Sequence, residues 1–191
     1  MGKVIIVTGT PGAGKSTVLG GALAKLKNVL VVNYGNEMMA VAVERGIKNR
    51  DLLRKQPLSV QHQIQTAAAK SIAKIARSSK SPLIVDTHST IKTPDGYIPG
   101  MPENIIKSLN PSVIVLIEAP TKQIAKRRAK DKTRRRDVET IEQIELQQNI
   151  NRMFASAYAT MTGASVKIIV NADNKLNKAV AELIRVVNSQ R

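Results

Sequence analysis

The chain predicts an α/β fold of three layers, with a five-stranded parallel sheet between helices. Three observations carry this expectation. Five short apolar runs alternate with segments of helical period along the 191 residues. Each run is continuously apolar, as strands covered on both faces are, and not alternating as a half-exposed strand would be. The first run is followed directly by Gly9-Thr10-Pro11-Gly12-Ala13-Gly14-Lys15-Ser16, and a helix-forming stretch comes next. Strand, glycine-rich turn and helix in that order is the context in which G-x-x-x-x-G-K-[ST] binds phosphate.

Residues 3–8, centred on Val4-Ile5-Ile6-Val7, make the first strand, and the helix after the loop runs to about Lys27. Val29-Leu30-Val31-Val32 is the second strand, ending at Asn33-Tyr34-Gly35. Helices are predicted over 36–46, stopped by Gly46, and over 50–55, before Pro57. A long helix spans 59–78, with Val60, Ile64, Ala68, Ile72 and Ile75 on one stripe. Residues 82–86 form the third strand. Residues 87–101, rich in Thr, Pro and Gly, read as a loop, and a short helix follows Pro102. Val113 to Ile117, bounded by Pro111 and Pro120, is the fourth strand. A basic helix covers 121–131. Helix resumes from about 138 to 162 and stops at Gly163, Val166 to Val170 is the fifth strand, and a last helix over 174–189 turns Leu176, Val180, Leu183 and Val187 to the core.

In such sheets ligands gather at the carboxyl ends of the strands. Every chemistry-bearing segment of this chain follows a strand. In the first, Gly9, Thr10, Pro11, Gly12, Ala13, Gly14, Lys15, Ser16 and Thr17 form the phosphate loop. Its backbone N–H groups and the helix N-terminus favour an anion. Lys15 reaches the β- and γ-phosphates, and the Ser16 hydroxyl ligates Mg²⁺. Asp86 ends an apolar strand, where a carboxylate acting on the same ion belongs; the plainer role is to cap the next turn. His88 is read as a hydrogen-bond partner of a substrate phosphate or ribose in preference to a general base, because an acceptor phosphate is already an anion. His62, inside a predicted helix, is a packing or surface residue. Arg50 and Arg54 share one helix face. Arg50 with Asp51 is read as local electrostatics, and Arg54 as a bidentate contact to an acceptor phosphate; local sequence leaves the two readings even.

Composition narrows the class. There are no cysteines, which excludes disulfides, thiolate metal sites and a cysteine nucleophile and fits a cytoplasmic protein. No stretch approaches a membrane span, and the chain enters its first strand without room for a signal peptide. Aromatic residues are 2% of the chain, so the core is aliphatic. The net charge is +16, and half of it lies between Lys122 and Arg136, with nine cations against the single anion Asp131. Like charges this dense are tolerable around a polyphosphate, and Thr133-Arg134-Arg135-Arg136-Asp137 reads as an arginine loop that stabilises a transferring phosphoryl group. A solvated basic turn is the other reading.

On these residues the chain resembles the archaeal-type adenylate kinases over nearly its whole length. The matching pieces are GTPGAGKST (9–17), RDLLRK (50–55), VDTHSTIKTPDGYIPGMP (85–102), IEAP (117–120), RR and DKTRRRD within 127–137, and NR followed by TGASVKIIVN within 151–171. The resemblance implies ATP + AMP ⇌ 2 ADP with Mg²⁺, on a P-loop nucleoside monophosphate kinase fold with a short lid. It implies one kinase domain over 1–191, with the monophosphate-binding part at about 34–80 and the lid at about 130–138. Residues 9–17 would hold the ATP phosphates. Arg127 would lie against the adenine, and Arg134 and Arg136 would clamp the phosphates with Lys15. Asn33, Tyr34, Gly35, Met38, Met39, Arg54, Thr87 and His88 would form the AMP site, Ser16 and Asp86 would hold the metal, and Asn149 and Arg152 would reach back to the phosphates. A homotrimer is implied as well. The D-G-x-P-R motif of bacterial and eukaryotic adenylate kinases is absent, and Asp86-Thr87-His88 stands in its place.

Two other readings stay open at this level. One is an adenylate-kinase-like ATPase acting in ribosome or RNA assembly, motivated by the excess charge, which also predicts weak non-specific nucleic-acid binding. Few aromatic platforms speak against it. The other is a kinase for a different nucleoside monophosphate.

Overall fold

The computed structural model describes residues 2–131 and 139–191. Its central sheet holds five parallel strands in the order β2-β3-β1-β6-β7. They are β1 (Val4–Gly9), β2 (Leu30–Asn33), β3 (Leu83–Asp86), β6 (Val113–Glu118) and β7 (Ser165–Val170), and they match the five predicted strands. Strand β1 lies between β3 and β6, with Val7 opposite Asp86 and Gly9 opposite Ile117. The phosphate loop therefore leaves the middle of the sheet, next to the end of β3.

Alternate residues of each strand serve opposite faces. Val4 and Ile6 pack with Ala68, Ile72, Ile105, Leu116 and Tyr158, under helices α4 (Leu58–Ser78), α5 (Glu103–Leu109) and α7 (Ile141–Thr162). Ile5 and Val7 pack with Val18, Leu19, Val180 and Leu183, under α1 (Lys15–Leu23) and α8 (Leu176–Asn188). Each fully buried Ile or Leu contributes roughly 1.5–3 kcal/mol of transfer free energy, so these two faces hold the three layers together. The remaining helices are α2 (Tyr34–Glu44), α3 (Arg50–Arg54) and α6 (Thr121–Lys130).

One predicted loop is structured. Residues 87–101 contain an antiparallel hairpin, β4 (Thr90–Thr93) and β5 (Gly96–Pro99), with Ile91 opposite Ile98. The turn is Pro94-Asp95-Gly96, and Gly96 has φ +126°. A proline, an aspartate and a glycine between Thr90-Ile91-Lys92-Thr93 and Tyr97-Ile98 are a hairpin signal that composition alone hid. Boundaries moved elsewhere: α1 ends at Leu23 and α2 begins at Tyr34. Helix α7 starts at Ile141 behind a capping box, in which Gln143 N–H donates to Thr140 Oγ1 (3.3 Å) and Thr140 N–H to Gln143 Oε1 (2.9 Å). Among the described residues no helix is long and apolar enough to cross a membrane.

Candidate active site

The phosphate loop is held from outside by side chains that satisfy its carbonyls. Asn171 Nδ2 donates to Ala13 O (2.9 Å), and Arg127 Nη1 donates to the same oxygen (3.3 Å). Arg128 Nε donates to Pro11 O (2.8 Å), and Asn151 Nδ2 to Thr10 Oγ1 (3.1 Å). With those acceptors engaged, an entering phosphate meets donors and not lone pairs. Gly14 sits at φ +86°, and a Cβ there would stand 2.4 Å from Asn171 Nδ2. Only glycine serves at that corner. Ser16 and Thr17 follow in the exposed first turn of α1.

Lys15 joins this loop to the end of β3. Its Nζ donates to Thr87 O (2.7 Å) and forms an ion pair with Asp86 Oδ1. The other carboxylate oxygen of Asp86 accepts from Asn33 Nδ2 (2.9 Å). Asn33 Oδ1 in turn accepts from Asn36 N–H (3.0 Å), capping α2, and Asn36 Oδ1 accepts from Arg50 Nη2 (2.8 Å). The predicted cation and carboxylate thus converge, and a chain of hydrogen bonds runs from them to α3. An oxygen-only donor set, the Ser16 hydroxyl and the Asp86 carboxylate, suits Mg²⁺, a hard ion that keeps most of its remaining ligands as water and substrate phosphate.

The residues expected at the AMP site occupy different settings. Tyr34 is buried, with its hydroxyl donating to Gln65 O (2.9 Å), and burial pushes its phenol pKa up. Its polar atom is spent on joining α2 to α4. Gly35 lies beneath the Arg50 guanidinium in the first turn of α2. Met38 and Met39 are partly buried against Ala42, Leu53 and Ile64. Thr87 is buried and His88 exposed at the base of the hairpin. Arg54 is exposed and pairs with Asp51 (3.2 Å), whereas Arg50 reaches Asn36. The arginine nearest the Lys15–Asp86 pair along this chain is therefore Arg50.

The hairpin is tied to the loop through α7. Thr90 Oγ1 donates to Asn151 Oδ1 (2.7 Å), Ser89 N–H donates to Thr8 Oγ1 (2.7 Å), and Tyr158 OH donates to Ser89 O (2.7 Å). Burial raises the Tyr158 pKa to about 12, so the phenol keeps the proton it donates. At the far end Glu139 takes hydrogen bonds from Lys92 of β4 (2.5 Å) and from Arg128. Burial opposes its charge, but these two cations outweigh that cost and hold the carboxyl below its ordinary range. Arg128 also donates to Gln147 (3.1 Å), so one guanidinium links α6, α7 and the loop.

Two further arginines named from the sequence are held at the carboxyl ends of β7 and β6. Arg127 donates to Asp173 (2.6 Å) and Asn171 O (3.0 Å), both just beyond β7 and beside the loop. Arg152 is engaged at the end of β6. It donates to both oxygens of buried Glu118 (2.8 and 2.5 Å) and to Asn149 Oδ1 (3.2 Å). Arg134 and Arg136 lie outside the described residues. Sequence reasoning passed over Asn151, Arg128, Glu139, Glu118 and the contact of Asn171 with the loop. Their partners are far away in the chain, and only a strand-end position marked Glu118 and Asn171 in advance.

Comparison with known proteins places the whole chain among known relatives. The sequence model of a family described as AAA domain matches residues 8–145. The chain is 50% identical over 182 residues to an adenylate kinase of Methanothermobacter thermautotrophicus, covering 95% of this chain and 97% of that one. It is 49% identical to an adenylate kinase of Methanopyrus kandleri, over 99% of this chain and 100% of the relative. An adenylate kinase of Pyrococcus furiosus is 46% identical, covering 97% and 95%. Among solved structures, shikimate kinase from Bacteroides thetaiotaomicron superposes with a TM-score of 0.59 at 13% identity, covering 97% of this chain and 98% of its own. That similarity is one of fold.

Proposed function

The chain belongs to the archaeal adenylate kinases, and on that premise we propose how its residues divide the work of ATP + AMP ⇌ 2 ADP. The observation that carries the reading is the convergence of Lys15 with Asp86 and Thr87, which sets the phosphate-loop cation against the end of β3. ATP lies with its phosphates on residues 9–17 and its adenine toward Arg127. AMP lies over the N-terminus of α2, near Gly35, Met38, Met39 and the Thr87-His88 segment. Arg50, with Arg54 one turn further on, supplies positive charge to its phosphate.

In the forward direction an oxygen of the AMP phosphate attacks the γ-phosphorus in line. The bond from γ-phosphorus to the β,γ-bridging oxygen breaks, and that oxygen leaves on ADP. No proton need move, because acceptor and leaving group are both phosphate oxygens, and catalysis is positioning and charge stabilisation. Lys15 moves its donors from Asp86 to the β- and γ-oxygens, where charge accumulates. Ser16 and Asp86 would hold Mg²⁺, which when bound neutralises charge between the β- and γ-phosphates. Arg134 and Arg136 belong to the same clamp.

Self-association into a trimer is part of the proposal. Edge strand β7 exposes Val166, Ile168 and Val170 on the face that carries α7, and α7 exposes Met153 and Met161. Large apolar side chains left exposed on so cationic a chain support contact with further copies. A cytoplasmic site of action suits a reaction among free nucleotides in a chain without cysteine.

The test is ADP formation from Mg-ATP with and without AMP. Formation far faster with AMP than hydrolysis of ATP alone is expected; equal rates would leave only a nucleotide hydrolase. Parallel assays with CMP, GMP and UMP report the acceptor base.

A further inference from the structure

Asn33 is the last residue of β2 and stands in register with Asp86, the last residue of β3. In-register residues of adjacent parallel strands project to the same side of the sheet, so the two side chains meet. The orientation of the Asn33 carboxamide follows from its partners. A backbone N–H can be met only by the oxygen and a carboxylate only by the nitrogen. Oδ1 accepts from Asn36 N–H at 3.0 Å, and Nδ2 donates to Asp86 Oδ2 at 2.9 Å. One planar group therefore spans two structures. It caps the helix that carries the acceptor side of the site, and it orients the carboxylate whose other oxygen pairs with Lys15.

We propose that Asn33 is a positioning residue that ties the rotation of the Asp86 carboxylate to the N-terminus of α2. It need not touch either nucleotide. Its two bonds share the same pair of side-chain torsions, so a displacement of the α2 N-terminus carries the amide with it and turns Asp86. Arg50 extends the chain, since it bonds to Asn36 in the same helical turn. A cation that meets an acceptor phosphate is thus linked through Asn36 and Asn33 to the Asp86 carboxylate on the donor side, which Lys15 releases when it turns to the nucleotide. The inference rests on the kinase reading given above and assigns within it a coupling between the two half-sites.

Three variants separate the two bonds. Asn33→Ser keeps a good helix cap but is too short to reach Asp86 as well. Asn33→Asp also keeps the cap and sets a carboxylate against a carboxylate. Asn33→Ala keeps neither. The readouts are thermal midpoint without ligand, KM for AMP against kcat, the Mg²⁺ concentration for half-maximal rate, and calorimetric ADP affinity with Mg²⁺ and with chelator.

Asn33→Ser should hold its thermal midpoint and its KM for AMP near the wild type. Its kcat should fall about tenfold or more, and its Mg²⁺ requirement should rise, as expected when a charged group in the site is misaligned. The Mg²⁺-dependent gain in ADP affinity should shrink several-fold while the affinity in chelator stays unchanged. Asn33→Asp should show the same pattern more strongly. Asn33→Ala should add a fall in midpoint of about 2–4 °C for the lost cap. A wild-type kcat and Mg²⁺ response in Asn33→Ser would overturn the proposal, and so would a loss confined to KM for AMP, which would make Asn33 a direct contact. Failure of the kinase reading looks different: the wild type itself would form no AMP-dependent ADP.

Discussion

Arg152 grips Glu118 through two hydrogen bonds, Nε to Oε1 at 2.8 Å and Nη2 to Oε2 at 2.5 Å. Glu118 is 5% exposed at the end of β6, and the pairing raises the Arg152 pKa further, chiefly through the hydrogen bond itself. The fork of the guanidinium matches the carboxylate, which leaves Arg152 a structural tie between α7 and the sheet. Arg152→Ala strands a buried carboxylate. Because the guanidinium is half exposed, the expected cost is about 2 kcal/mol, below that of a fully buried pair. Thermal denaturation should show it, with KM for both nucleotides little changed. A large rise in either KM would return Arg152 to the phosphates.

Lys15→Ala removes the donor that links the loop to Asp86 and Thr87. Turnover should fall by about 10²–10³-fold, as when a preorganised donor to developing charge is lost. The circular dichroism spectrum should keep its native form, since the three layers are held by the two apolar faces of the sheet. Undiminished turnover would place the chemistry elsewhere.

Gly14→Ala forces a Cβ onto a residue at φ +86° and into Asn171, whose amide must then release Ala13 O. The backbone strain alone is about 1–2 kcal/mol. The KM for ATP should rise at least tenfold while AMP binding changes little, in a binding assay that follows each nucleotide separately. Equal weakening of both would mean general unfolding of the site.

Glu139 carries a pH dependence whose sign follows from its lowered pKa. A carboxyl depressed on folding contributes stability that is fully present above its unfolded value of about 4.3, and that contribution is lost as pH falls through the lower folded value. Wild type should therefore exceed Glu139→Gln in thermal midpoint at neutral pH, and the gap should close in that acid window. Equal midpoints at neutral pH would show that the carbonyl, which Gln retains, and not the charge holds Lys92 and Arg128; a gap unchanged at low pH would show that ionisation of Glu139 does not cause it.

Ile168→Glu places a charge in the middle of the exposed β7 surface. Sedimentation should change from an assembly of copies to a monomer. A monomeric wild type at the same concentration would remove the proposed trimer.

Some of this molecule was legible from residue order alone. The strands are apolar runs, which marked their number and parallel pairing, although only β1, β3 and β6 are covered on both faces, while edge strands β2 and β7 leave apolar residues exposed. The phosphate loop was equally plain, because a tight turn before a helix needs glycine at Gly12 and Gly14, and a phosphate needs Lys15 beside them. The hairpin at 90–99 was missed because four-residue strands with mixed exposure carry little periodicity, although Pro94-Asp95-Gly96 marked its turn.

What sequence could not assign was the partner of each arginine. Arg50, Arg54, Arg127, Arg128 and Arg152 are alike as letters. Arg54 finds Asp51 within its own helix, but the others separate only when folding sets Asn36, Asp173, Glu139 and Glu118 within hydrogen-bond reach of them. Local pattern determines which elements form, because backbone turns and apolar burial are short-range or periodic demands. The pairing of charges depends on which strand ends and helix faces adjoin, so Arg127 and Asp173, or Arg152 and Glu118, become neighbours only through the sheet order.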